Sequence, residues 1–468
     1  MNQNATTNAL SGTARLSVVI PAVIVGFFYL AALEYMLPLY FSALADAARA
    51  AGDPTEAGVY ASIYSTLMKY QVTPWIVGPI MAGMLSRRYG ERRVWAYAQL
   101  AMVIIPVMLV YLPTPLVIKT MALWSGITGA LIWIGGVSLV QMVAPERKGL
   151  SNGLMMASLG VGSLVGPICA RGLLYREELG GLLHEGDVPG FLAGLFSFTQ
   201  LTRMLEVSDF RPIFLLLTVM TALAAVLIGG WGQRPGRFQH EEDADWSRTV
   251  LDLGRLIRLP KFWALVLPLC FLGGAVFQAT NMYLPYRAED LGLKSGAQDF
   301  GWIWLTVLKT FVWIVGGLAV GLLAGRRAPG IAAVIMLGGF SLMSLGIGLS
   351  AAAWQLFVFV VIFEFIRQFM RWSHAGYLSE HMPAELRATA IGCSITISGL
   401  GSTIYAWVAD YMILPESQSP MAFYMAACLG LIGCTGLFIF DRIRPIREAE
   451  PEDLGECSTI SMTGEAKS

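Results

Sequence analysis

Five ionisable side chains stand in stretches otherwise apolar enough to cross a bilayer: Glu34, Lys69, Lys309, Glu364 and Arg367. A charge at mid-bilayer costs about 2.5 to 3.5 kcal/mol on insertion scales, so it persists where it faces protein or water and has a task there. Three tasks fit such groups: binding a polar or charged solute, carrying a proton, or neutralising one another. Glu34 has no charged neighbour in sequence, and two readings stand beside each other for it: a proton carrier, or a structural ion pair with Lys69. Lys69 and Lys309 either face each other to hold an anionic group as flexible point charges, or neutralise internal carboxylates such as Glu34 and Glu364.

The stretch "FEFIRQFMRWSH", 363 to 374, places Glu364, Arg367, Arg371 and His374 at i, i+3, i+7 and i+10, one face of a helix. Glu364 and Arg367 are spaced to pair within that helix. Arg371 and His374 lie nearer its far end and belong to a gate or to ordinary polar contacts. Gln278, Thr280, Asn281 and Tyr283 are further candidates for lining a cavity, and Trp75 and Trp313 either pack or stack on a ring.

The surrounding chain is a membrane protein by composition. Hydrophobic residues make up 56% and charged residues 14% of 468, where a soluble domain carries about 25% charged. The mean hydropathy is +0.61. A helix needs about 20 apolar residues to cross about 30 Å of hydrocarbon. Twelve windows qualify, at about 16–44, 57–81, 93–112, 115–143, 149–172, 212–231, 261–286, 299–324, 329–351, 354–380, 388–412 and 420–441. The alternation of a transmembrane barrel strand is missing from them. Lys119 lies near a span end, where it can snorkel.

Arginines collect in alternate loops: Arg87, Arg88, Arg92 and Arg93, then Arg147 with Lys148, Arg326 and Arg327, Arg387, and Arg442, Arg444 and Arg447. The positive-inside bias then puts both termini in the cytoplasm of a cell whose inner membrane holds the chain. Residues 173–211 fit no short loop; "FLAGLFSFTQLTRML", 191 to 205, is too short to span and reads as part of an external hairpin on the membrane surface.

The chain repeats itself at offsets of about 240 residues. "WIVG" occurs at 75–78 and 313–316, "PERKGLSNG" aligns with "AELRATAIG", Gly162 with Gly401, and "EYMLP" with "NMYLP". Two parallel six-helix halves follow, 16–231 and 261–441, giving an all-α integral membrane fold of twelve helices. Residues 1–15 form a cytoplasmic N-terminus and 442–468 a polar, disordered tail. The linker, 232–260, is charged; from Trp246 it has amphipathic spacing, and serves as a tether for the halves or as a solvated connector.

These features resemble the major facilitator superfamily of secondary transporters. Its signature after the second span is matched by Gly83, Leu85, Arg88, Gly90 and Arg92 of "GMLSRRYGERR", with Arg87 at the usual acidic position and Glu91 at a usual base. The resemblance implies a cytoplasmic charge lock in that loop, rewired here. A second signature is matched by Gly153, Gly162, Gly166 and Pro167, with Ala170 and Arg171 replacing its closing glycines; the resemblance implies that this helix packs against the eighth span. "GAVFQATNM", 274 to 282, is similar to the matching helix of nucleoside:proton symporters.

No phosphate-binding loop G-x-x-x-x-G-K-[ST] appears, so a gradient and not a bound nucleotide drives transport. The cysteines show neither metal-ligand spacing nor a disulfide pattern, and no nucleophile-base constellation marks an enzyme. The leading expectation is a monomeric, cofactor-free, proton-coupled symporter of a small polar, anionic or nucleoside- or sugar-like solute, with lipid as its surroundings and no nucleic-acid partner. The alternatives are an efflux antiporter, against which Ala122 stands where drug:proton antiporters often carry an arginine, and a receptor or scaffold that moves nothing.

Overall fold

In the computed structural model the described residues are 3–143, 148–195, 205–230, 246–293, 302–323, 329–381, 386–413 and 415–443. Among them the chain is helical throughout. The first half contains α1 (Gln3–Ala50), α2 (Pro54–Val72), α3 (Gly78–Tyr89), α4 (Glu91–Met102), α5 (Ile104–Tyr111), α6 (Pro115–Val143), α7 (Lys148–Leu174), α8 (Arg176–His184), α9 (Val188–Leu195) and α10 (Arg211–Gly230). The second contains α11 (Trp246–Ile257), α12 (Pro260–Leu265), α13 (Gly273–Asp290), α14 (Trp302–Leu323), α15 (Pro329–Leu349), α16 (Ala353–His381), α17 (Arg387–Met412) and α18 (Pro415–Ile443).

The described part of each of the twelve apolar windows is helical, and among the described residues 7 segments are long and apolar enough to cross a membrane by length and composition. Three windows are not single α-helices, and proline accounts for each departure. Pro74 cannot donate to the backbone, so α2 gives way to a 3-10 turn over Thr73–Ile76 before α3 resumes. Pro106 separates α4 from α5, and Pro268 sits in a π-helical turn, Val266–Leu272, between α12 and α13. The expected hairpin contains α8 and α9, which pack on each other; residues 196–204 of its apolar stretch lie outside the described residues.

The linker helix is docked. Leu256 of α11 is fully buried in a small cluster with Phe262, Val266, Cys270 and Ala390, and the Trp263 indole donates to the Ile257 carbonyl at 2.7 Å. Residues 231–245 and the tail from 444 lie outside the described residues.

Glycine decides how closely the helices approach. A Cβ on Gly162 would fall on the backbone of Ile24 and Phe28, and one on Gly166 on that of Phe28 and Ala32. Both therefore let α7 lie against α1, within its own half. Helix α7 also runs along α14, the eighth span, as the resemblance implies, and there Gly160 gives the close approach, since its Cβ would meet Ile314. The second half repeats the device: Gly401 lies on Phe271, and Gly399 on the backbone of Trp75 across the interface. The surroundings of Gly153 fall outside the described side chains, and Pro167 stands inside α7.

These contacts fix one prediction. Gly162→Leu forces α1 and α7 apart and lowers stability by about 2 kcal/mol or more, read as a lower melting temperature of the purified protein. Gly83→Ala is the control: open space surrounds its Cβ, and its melting temperature stays level or rises.

Candidate functional site

Between the halves lies a cavity of about 410 Å³. Its wall takes Glu34 from α1, Tyr64 and Gln71 from α2, Gln278 and Asn281 from α13, Lys309 and Trp313 from α14, and Arg367 from α16. It extends to Leu269 of the π-helical turn and Ile395 early in α17, so it occupies the middle of the bundle and the half nearer the face where α7, α12 and α17 begin.

The charges are paired, and two of the pairs join the halves. The Lys309 ammonium donates to the Glu34 carboxylate at 2.7 Å, linking α14 to α1. Lys69 of α2 bonds the Asp410 carboxylate of α17, with Ser65 Oγ donating to the same group at 3.4 Å. The expected ion pair between Glu34 and Lys69 is therefore corrected: each takes a partner from the opposite half. The lysines do not meet around an anion either, because an opposite-half carboxylate already neutralises each.

Within α16, Arg367 donates to Glu364 at 2.8 Å, the i, i+3 pair that the spacing allows. Glu364 is fully buried and accepts a second bond from the Trp313 indole at 2.7 Å. The guanidinium of Arg367 stands 4.3 Å from the Phe277 ring and 4.7 Å from the Trp313 ring, and the Lys309 ammonium 5.7 Å from the same indole. Trp313 thus lies between two cations while its N–H holds the buried carboxylate, which gives it an electrostatic as well as a packing task. Trp75, Trp133, Phe27, Phe277 and Phe340 complete an aromatic wall, with Ser125, Ser398 and Ser402 as polar points.

Of the candidates read from sequence, Glu34, Gln278, Asn281, Lys309 and Arg367 line the cavity. Tyr283 does not: it is fully buried in packing, tilted against Tyr286 at 6.3 Å. Glu364 sits behind the wall, and Lys69 lies toward the opposite face, its ammonium 4.5 Å from the Trp407 ring. Asp410 was not singled out. The repeat offset that aligns Gly162 with Gly401 places it opposite Arg171, itself a buried cation over the Tyr175 ring at 5.1 Å, and listing the charges near that span's end would have found it. Gln71, which donates to Ser125 at 3.3 Å, carries no charge to attract notice.

A glycine and an arginine shape the loop after α3. Gly90, with φ at 82°, turns the chain from α3 into α4. Arg92 then donates from Nε and a terminal nitrogen to the carbonyls of Ile228 and Gly229, 2.7 Å each, capping α10 within its own half. Arg88 lies over the Tyr89 ring at 5.3 Å. The side chains of Arg87, Arg371 and His374 lie outside those described.

A polytopic helical protein with two repeated halves and a charged cavity between them is the class that fold and site define. The sequence model of the Major Facilitator Superfamily matches residues 22–406, and the chain belongs to that family. No curated protein matches the sequence. Solved structures similar in fold include a human organic anion transporter (TM-score 0.64, 13% identity, 91% of this chain and 99% of that one). The Escherichia coli fucose:proton symporter (TM-score 0.60, 13% identity, 92% and 99%) and a nucleoside transporter (TM-score 0.61, 12% identity, 92% and 100%) share it as well.

The inter-half pair gives a second prediction. Asp410→Leu strands the Lys69 ammonium, whose side chain is only 12% exposed, and Lys69→Met strands the carboxylate. Each single variant loses more melting temperature than the double variant Lys69→Met with Asp410→Leu. Equal or additive losses would show the pair to be energetically idle.

Proposed function

We propose that the protein is a secondary active transporter that moves a small polar organic solute across the cytoplasmic membrane by alternating access, coupled to protons in symport. The observation that carries the reading is the Glu34–Lys309 pair, which both joins the halves and faces the cavity. A pair in that place senses solute and controls the halves' contact at once. Neutralising Glu34 with a proton weakens its hold on Lys309, so proton binding, solute binding and separation of α1 from α14 are one event. The second inter-half pair, Lys69–Asp410, acts as a latch on the opposite side of the cavity and opens when the halves rock. The family and the fold neighbours, one of them a fucose:proton symporter, support the class.

The arginine-rich loops orient both termini toward the cytoplasm, and α11 tethers the halves there while docked on the second. The transporter works as a monomer without a cofactor. Its driving force is the proton gradient.

A thermal-shift screen of nucleosides, sugars, organic acids and amino acids identifies the solute, and proteoliposomes then test transport. The expected result is accumulation that rises with an inward proton gradient. Glu34→Gln loses the gradient-driven accumulation and keeps solute exchange. A solute that stabilises the protein without any counterflow exchange would replace the transporter reading with that of a receptor.

A further inference from the structure

The charge balance of the cavity narrows the solute, given the proton-coupled reading above. The wall presents one carboxylate, Glu34, and two cations, Lys309 and Arg367. Arg367 is matched from behind by Glu364, which is fully enclosed and held a second time by Trp313. Among the described residues Lys309 is matched at the cavity surface alone, by Glu34, whose side chain is 40% exposed. The two pairs therefore differ in kind: one carboxylate is locked in the protein, while the other stands where a solute can replace it.

A proton on Glu34 cancels its charge and leaves the Lys309 ammonium, 8% exposed in its side chain, without a counterion in a site walled by aromatic rings. A buried cation without a partner is strongly unfavourable. An incoming anion removes that penalty, and a neutral solute does not. The charged and titratable groups set around Glu34 are Lys309 from α14, Arg367 from α16 and Tyr64 from α2, so the local balance with Glu34 neutral is an excess of one positive charge.

A second observation points the same way. Arg367 is 4% exposed and lines the cavity, yet its Nε has no hydrogen-bond partner. A guanidinium offers five donors and the Glu364 bond uses one of them, so the part of the group that faces the cavity has N–H left for an acceptor from outside the chain. Trp313, set between the two cations, and Phe277, Trp75, Trp133, Phe27 and Phe340 supply flat apolar area. That wall suits a ring more than an open polyhydroxylated chain.

We propose that the solute is an organic monoanion, a carboxylate borne on a planar ring, whose carboxylate takes the place of Glu34 on Lys309. One proton and one anion then enter together. Anion and ionised Glu34 compete for one ammonium, so each proton that Glu34 takes up strengthens anion binding and each anion bound favours the proton.

Binding of benzoate, nicotinate and indole-3-acetate, each against its neutral primary amide, tests this by calorimetry and thermal shift on the full-length protein at about pH 5.5 and about pH 8. The expected result is that at least one acid binds and its amide does not. In the wild type that acid binds about tenfold more tightly at the lower pH. Glu34→Gln, which mimics the protonated side chain, binds it with an affinity that no longer depends on pH and exceeds the wild type at the higher pH. Lys309→Met loses acid binding while its melting profile stays cooperative. The proposal is overturned if an amide binds as well as its acid, if wild-type affinity is level across the two pH values, or if Glu34→Gln weakens the acid at both. Proton-driven uptake of a sugar or nucleoside with no response to any acid would overturn the monoanion while leaving the symporter standing. Failure of every solute class in binding and counterflow would remove both.

Discussion

Charge in a medium that cannot solvate it is the constraint on which this protein is organised. Glu34, Lys69, Lys309, Glu364, Arg367 and Asp410 all sit where hydrocarbon would otherwise surround them, and each has an opposite charge within hydrogen-bond reach. What distinguishes them is where the partner comes from. Glu364 and Arg367 settle their charge within one helix, and that pair can travel unchanged through any motion of the halves. Lys69 with Asp410 and Lys309 with Glu34 settle theirs across the interface, so the halves cannot part without either hydrating those charges or replacing their partners. The repeat deepens the point: the two lysines occupy nearly matching places in α2 and α14, and each reaches into the other half.

Close approach makes such pairing possible. Gly162 and Gly166 bring α7 onto α1, Gly401 brings α17 onto the π-helical turn before α13, and Gly160 and Gly399 bring each of those helices onto the opposite half. A bundle with bulkier residues at these places would hold its halves further apart, beyond the reach of a lysine side chain. Proline supplies the complementary irregularity, since the interruptions at Thr73–Ile76 and Val266–Leu272 fall on helices that border the cavity. Irregular backbone at membrane depth is tolerated where it faces protein or a cavity, and both segments do.

Much of the fold was legible in the sequence because hydrophobic length and internal repetition are both written along the chain. The twelve apolar windows, the halves related by "WIVG" and the glycine pairs, and the i, i+3 relation of Glu364 to Arg367 all depend on local spacing. The partner of each lysine does not. Glu34 and Lys309 are 275 positions apart and Lys69 and Asp410 are 341, and nothing in one sequence says which of several buried carboxylates a lysine meets. The same limit explains Tyr283, a polar aromatic on the right helix that turns into packing, and Glu364, which sits one layer behind the wall. Arg92 shows a different gap: a family signature names it, whereas its bonds to the carbonyls of Ile228 and Gly229 at the end of α10 could not be read from that signature.

Three observations, a carboxylate exposed to the cavity, a cation paired with it and an arginine with donors to spare, describe a site whose charge stays balanced when a proton and an anion arrive together and not when either arrives alone. Measuring the electrical character of transport in proteoliposomes is the most direct test of that claim. Uptake of the bound acid should follow a pH gradient and stay the same when a potassium and valinomycin potential of either sign is imposed. Uptake driven by the potential in the absence of a pH gradient would contradict the account.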